Sequence, residues 1–225
     1  SGELLDQESL LPRLKQIVEH KNRILTKIYD QKPLSVEEIY EQCIKWGSLL
    51  KPYLGHTEIL LQDALNKGHS ILLEGAQGTM LDLDHGTYPY VTSSSSAIGG
   101  AATGLGFSPQ SITSIIGVFK AYSTRVGSGP LPSEMNDAST DILRERAWEY
   151  GATTGRARRI GWFDAVAGRY SKQINGFTSL VLTRLDVLDG FPSVKLCVGY
   201  RIDGNDINYF PANTAFLEKC EPVYE

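Results

Sequence analysis

Hydrophobic positions follow two different periods along this chain, and the change from one to the other divides it. Leu11, Leu14, Val18 and Leu25 recur at helical spacing behind Asp6, a candidate N-cap. Ser35 and Glu38 have the spacing of a capping box, with Ile39, Cys43, Trp46 and Leu50 following on one face. Thr57 starts a third predicted helix, and Gly68 ends it as the C′ residue. From residue 70 the apolar runs become strand-like, at residues 71–73, 115–122, 180–183 and 194–200. A shorter run, 207–210, is expected to pair across the turn Asp203-Gly204-Asn205, and a helix is expected near residues 162–173. Strands alternating with helices and glycine-rich loops predict an α/β fold, with a helical segment over 1–69 and an α/β part over 70–225. The chain opens directly on helix-like sequence and closes on Glu221-Pro222-Val223-Tyr224-Glu225 without an evident final element, which reads as a piece of a larger protein.

Composition adds exclusions. With 225 residues, 41% hydrophobic and 21% charged, the chain can bury a sizeable core and is not of the disordered class. A formal net charge of -4 argues against a dedicated nucleic-acid binder. Cys43, Cys197 and Cys220 are too few and too scattered for a disulfide framework or a zinc knuckle, so free thiols in a reducing cytoplasm are expected. No apolar stretch reaches the roughly 18 residues needed to span a membrane.

Four constellations carry candidate chemistry. The run Glu74-Gly75-Ala76-Gln77-Gly78-Thr79, continuing through LDLDHGTYPYVTSSSS, follows the apolar Ile71-Leu72-Leu73. Open α/β sheets bind ligands at such strand ends. Gln77 and Thr92 suit a neutral ligand edge or a phosphate, because an amide both donates and accepts. Within the run, Asp82-Leu83-Asp84-His85 either holds a divalent metal or closes an Asx-type turn on local backbone N–H groups. Gly151 to Arg159 combines two threonines with three arginines, whose planar forks match carboxylate or phosphate. The alternative there is a solvated basic turn with surface ion pairs. Thr183-Arg184-Leu185-Asp186 ends an apolar run. It is similar to the T/N-K-x-D guanine signature, in which the aspartate accepts from the guanine N1–H and 2-amino group, and it also fits a plain strand-end turn. A standard P-loop, a G-x-S-x-G elbow and an H-E-x-x-H pair do not occur in the sequence.

Taken together and in order, EGAQGTMLDLDHGTYPYVTSS, KAYSTRVGSGPLPSE, GATTGRARRIGWFDAVAGRY and LTRLDVLDG resemble the adenylosuccinate synthetase family, over essentially the whole chain. The resemblance implies a P-loop-NTPase-like fold with a central mixed sheet, surrounding helices and an N-terminal helical segment, only part of the sheet being present here. It implies a GTP-dependent carbon–nitrogen ligase of purine biosynthesis that joins L-aspartate to IMP, giving adenylosuccinate, GDP and phosphate, with Mg2+ required, in a cytoplasmic homodimer. Position by position, it implies IMP contacts at Gln77, Thr92, Val126 and Arg156. An aspartate-binding loop falls on Ala152, Thr153, Thr154, Gly155, Arg156, Ala157 and Arg158. GTP contacts fall on Arg158, Arg184, Leu185 and Asp186. The family's usual lysine is replaced by Arg184, and Ser95 and Ser96 stand where Asn-Thr is commoner. The family's phosphate loop G-D-E-G-K-G, its general base and acid, its Mg2+ ligands and the C-terminal side of its guanine pocket are not found in this sequence, so the catalytic residues are expected outside it. Two alternatives remain: an inactive nucleotide-binding module derived from that family, and an unrelated GTPase suggested only by residues 183–186.

Overall fold

A computed structural model describes residues 2–151 and 155–225. The chain divides into two compact units, Ser1–Leu60 and Leu61–Glu225.

In the first unit, α1 (Gln7–Lys27) begins where the Asp6 carboxylate accepts the Ser9 N–H at 3.2 Å. The next helix, α2 (Val36–Leu50), begins where Ser35 Oγ accepts the Glu38 N–H at 3.1 Å. Each cap satisfies a donor that the first helical turn leaves open. Asn22 fixes the connection between the helices, donating to the Leu34 carbonyl at 2.9 Å and accepting the Leu34 N–H at 2.7 Å. Leu10, Val18 and Cys43 are buried, whereas Trp46 and Leu50, on the expected apolar face, stay 50% and 39% exposed. The unit division falls within α3 (Thr57–Asn66). That helix closes with Gly68 N–H on the Leu65 carbonyl and His69 N–H on that of Ala64, the paired bonds of a Schellman motif.

Among the described residues the second unit is α/β with two sheets. Parallel strands β1 (Ile116–Lys120) and β4 (Ser179–Thr183) form one. The other has five strands: β2 (Tyr122–Arg125), β3 (Arg159–Asp164), β5 (Leu196–Ile202), β6 (Asn205–Ile207) and β7 (Glu221–Tyr224). Only β3 and β5 run parallel in it, so the sheet is mixed. The helices are α4 (Ile98–Leu105), α5 (Ala138–Ala147), α6 (Ala165–Asn175) and the single turn α7 (Thr214–Leu217). One core gathers Tyr122, Met135, Leu143, Ala147, Ile160, Trp162 and Val187, packing α5 on β2 and β3. A second gathers Val166, Cys197, Tyr200, Ile202, Leu217 and Cys220. The β1–β4 pair is less covered: Val118, Leu180, Val181 and Leu182 are exposed, although parallel strands are ordinarily buried on both faces.

Several expectations need correction. Residues 71–73 are not a strand; they have no ladder partner among the described residues, and Leu72 is 89% exposed. A strand exists through a neighbour's hydrogen bonds, which an apolar run does not itself specify. The run 115–122 is two strands, separated at Ala121, whose N–H bonds to the Thr183 carbonyl at 2.9 Å. Trp162 to Asp164 belong to β3, and the helix begins only at Ala165, capped by Asp164 Oδ1 accepting the Ala167 N–H at 2.9 Å. The β5–β6 hairpin turns at Asp203 and Gly204, both at positive φ (49° and 79°), as a two-residue hairpin loop requires. The closing segment, where the sequence shows no evident final element, contains β7, which pairs with β5 despite Pro222.

Candidate functional site

The loop from Glu74 to Ala97 is organised around one buried carboxylate. Asp82 is 1% exposed. Its Oδ1 accepts the N–H groups of Asp84 and His85, both at 3.0 Å, and its Oδ2 accepts that of Ala97 at 2.9 Å. Burial pushes its pKa up, but the three N–H donors outweigh it and hold the carboxyl below its usual range. Both oxygens are therefore committed to local backbone, which realises the Asx-turn reading of this run. Gly86 closes beneath it, where a Cβ would meet the Asp82 and Met80 carbonyl oxygens at 2.4 and 2.5 Å. Thr92 is seated by its N–H on the Leu81 carbonyl at 2.8 Å, and Ser96 Oγ donates to the Gly78 carbonyl at 2.8 Å. Asn175, at the end of α6, accepts the Ile98 N–H at 2.8 Å and donates to Thr79 Oγ1 at 2.9 Å. Gln77 projects from this braced loop as an exposed residue at φ 61°.

A second group sits where β2 ends and β3 begins. Antiparallel pairing sets Arg125 opposite Arg159. Arg125 donates to Thr87 Oγ1 at 3.1 Å and to the carbonyls of Tyr90 and Ser128 at 3.0 and 2.9 Å. Burial, then the like charge of Arg159, pulls its pKa down. Arg159 forms a two-point pair with Glu134 and donates to the carbonyls of Gly127 and Gly129. Val126, 53% exposed, thus lies in a turn held by two guanidinium groups. Through Tyr90 and Thr87 that turn is tied to the loop carrying Thr92.

The third group is centred on Glu149, whose side chain is 2% exposed. Its Oε1 accepts from Lys120 Nζ at 2.6 Å and Tyr122 OH at 2.5 Å, and its Oε2 accepts from Arg158 Nη1 at 2.7 Å. Burial opposes the charge, yet these donors keep the Glu149 carboxyl below its usual range, while burial and then the Glu149 hydrogen bond push Tyr122 well above its own. Lys120 and Tyr122 flank Ala121, the residue at which the chain passes from one sheet to the other. The Arg158 N–H also bonds to the Glu149 carbonyl at 2.9 Å. Arg158 Nε is buried without a partner among the described residues.

Arg184, Leu185 and Asp186 follow β4, level with the end of β1, and all three are exposed. Val187, buried in the core, anchors the turn Asp186–Leu188. Arg184 stands close enough to Tyr122 to act on it electrostatically.

The sequence-predicted residues therefore group as follows. Gln77, Thr92 and Val126 stand on loops joined by hydrogen bonds. Arg158 and Arg184 both neighbour the Glu149–Tyr122 pair. Gly155, Arg156 and Ala157 are exposed, with the Arg156 carbonyl accepting the Gly151 N–H at 2.8 Å. Ala152, Thr153 and Thr154 lie outside the described residues. Of the arginines in the cationic segment, Arg158 and Arg159 are committed to partly buried pairs with Glu149 and Glu134, not to the solvated pairs of a basic surface turn. A cavity of about 440 Å3, bordered by Glu134, Asp137, Asp141, Arg144 and Arg159, contains none of the expected substrate contacts. Sequence reasoning assigned no role to Glu149, Lys120, Tyr122, Arg125 or Asn175. An acid set between Trp148 and Tyr150, just before a cationic loop, was the available signal for the first.

The family model for adenylosuccinate synthetase matches residues 1–225. An adenylosuccinate synthetase from Dehalococcoides mccartyi is 54% identical over 224 residues, covering 100% of this chain and 53% of its own length. One from Geobacter sulfurreducens is 52% identical, covering 99% and 52%. The structure of fully ligated adenylosuccinate synthetase from Plasmodium falciparum superposes with a TM-score of 0.90 at 34% identity, over 99% of this chain and 52% of that one. The chain spans about half the length of the curated relatives it matches. Over its whole length, then, this chain belongs to the adenylosuccinate synthetase family.

Proposed function

We propose that this chain supplies much of the substrate-binding face of a GTP-dependent ligase that condenses L-aspartate with IMP. The observation carrying this reading is the gathering of Lys120, Tyr122 and Arg158 on the Glu149 carboxylate at the C-terminal end of β1, with Arg184 following directly on the paired strand β4, where open α/β sheets take ligands. A purine 6-oxygen is a poor leaving group. Transfer of the GTP γ-phosphoryl group to it forms a phosphate ester. Attack of the aspartate amine at C6 then expels that oxygen with the phosphate, leaving adenylosuccinate, GDP and inorganic phosphate. Bringing polyanionic reactants together needs fixed cations and oriented N–H donors.

In this reading Thr92 donates its hydroxyl to the IMP phosphate, Gln77 lies near the phosphate or the reacting region, and Val126 meets the ribose through its backbone. The segment Ala152, Thr153, Thr154, Gly155, Arg156, Ala157 and Arg158 receives the aspartate carboxylates, with Arg156 also reaching the ribose and Arg158 bridging toward GTP. Asp186 accepts from the guanine N1–H and 2-amino group, and the stems of Arg184 and Leu185 flank the base. Mg2+ does not fit the residues at hand: no group of three His, Cys, Asp or Glu is placed to hold a metal ion among the described residues, and both Asp82 oxygens are engaged by backbone. No step is derived through it. In this reading the general base and acid lie outside these 225 residues, which alone are expected not to turn over. A homodimeric protein acting in the cytoplasm completes the proposal; no described helix is long and apolar enough to cross a membrane.

The test is phosphate release by the full-length protein supplied with IMP, aspartate and GTP. Release that requires all three is expected, and release indifferent to any one of them would refute the reading.

A further inference from the structure

We propose that Glu149 is a positioning residue, which sets the Arg158 guanidinium to receive an anionic substrate group. The inference rests on the functional reading above and adds to it a residue with no assigned role. Glu149 holds Arg158 twice, by its side chain at Nη1 (2.7 Å) and by its carbonyl at the backbone N–H (2.9 Å). Its two oxygens divide the work. Oε1 is taken by Lys120 and Tyr122, which immobilise the carboxylate from two strands. Oε2 is left to Arg158, and the carboxylate is too buried for water to compete. Arginine presents its donors as a rigid planar fork, so fixing one terminal nitrogen orients the others. One of those, Nε, is buried and without a partner among the described residues. Nε itself is closed to solvent, but the Arg158 side chain as a whole keeps 29% of its surface exposed, so the guanidinium, once fixed, can still be met by a carboxylate or phosphate oxygen. The local charge favours such a ligand: Lys120 and Arg158 contribute two cations against the one carboxylate, with Arg184 nearby.

The experiment uses the full-length protein and separates KM from kcat for each substrate. Glu149→Gln keeps size and the Oε1 acceptor but turns an N–H group toward Arg158. It is expected to raise KM for aspartate roughly ten- to a hundred-fold, the scale on which small misplacements of a binding group act, with KM for IMP little changed. A rise confined to KM for GTP also supports the positioning role and assigns the anion to a phosphate. In an Arg158→Ala background the Glu149 substitution should add little, since nothing remains to be positioned. Unchanged KM values in folded Glu149→Gln protein, or a full additional loss on top of Arg158→Ala, overturn the inference. Should Glu149→Gln fail to fold, Glu149→Asp retains the charge while withdrawing it by one methylene. The same KM split is expected there, and wild-type KM values overturn the inference. An inactive wild-type protein refutes the functional reading itself, and the inference with it; an active one whose Glu149 variants behave as wild type refutes this inference alone.

Discussion

Replacing Asp82 should loosen the loop that carries Gln77 and Thr92, by an amount the geometry fixes. Three backbone N–H groups converge on its carboxylate. In Asp82→Ala all three lose their acceptor. The Ala97 donor is in a buried bond and incurs the full cost of an unsatisfied group, about 1–3 kcal/mol. Those of Asp84 and His85 are in partly buried bonds where water can substitute, so each loses roughly 0.5–1.5 kcal/mol. The sum is about 2–6 kcal/mol. Asp82→Asn keeps an oxygen for Asp84 and His85 but faces an NH2 group toward Ala97, and about 1–3 kcal/mol of that loss should remain. The pH dependence has a definite sign. The folded carboxyl is held below its usual range, so its contribution is complete above the unfolded pKa of about 3.9 and disappears as pH falls through the folded value. The gap between wild type and Asp82→Asn should therefore be widest near neutrality and close in acid. Denaturant midpoints of the full-length protein measure the global effect, and amide exchange at Ala97 reports the local one. An Ala97 amide that exchanges as slowly in Asp82→Ala as in wild type would refute the reasoning.

Two further outcomes are expected. Arg156→Leu in the full-length protein should weaken use of both aspartate and IMP roughly ten- to a hundred-fold, the value of a charge-assisted hydrogen bond; steady-state kinetics check it, and unchanged aspartate dependence would count against the assignment. Asp164 is pushed above the usual carboxyl range, chiefly by burial, although Tyr200 OH at 2.6 Å and the Ala167 N–H favour its charge. A raised folded pKa means that the native state holds its proton more tightly, so ionisation costs stability as pH rises past about 4. Urea midpoints from pH 4 to 7 should show wild type losing ground to Asp164→Asn; a flat difference would contradict the assigned environment.

The three N-terminal helices were legible because their signals are local, whereas α4, α5 and α7 were not anticipated from the sequence. Asp6, Ser35 and Gly68 each act within five residues of themselves, and each caps or ends a helix as the sequence indicates. Strand limits were less so, because pairing is a property of two segments. Neither the break at Ala121 nor the pairing of Glu221–Tyr224 with β5 could be read from one run alone. At the candidate site, residue types with evident ligand chemistry were found from sequence, and their supports were not. Glu149 and Asn175 act on partners 29 and 96 residues away, Lys120 and Thr79, so no window along the chain contains the reason for them.

Ala121 has a consequence that its size conceals. Connections between strands usually absorb insertions and deletions, since a loop can lengthen or shorten without disturbing what it joins. Here one residue is the whole connection, and the side chains on either side of it meet on the same Glu149 oxygen. Adding or removing a residue would turn Lys120 or Tyr122 to the opposite face of its strand, so chain length at this point is as fixed as the identity of the residues it separates.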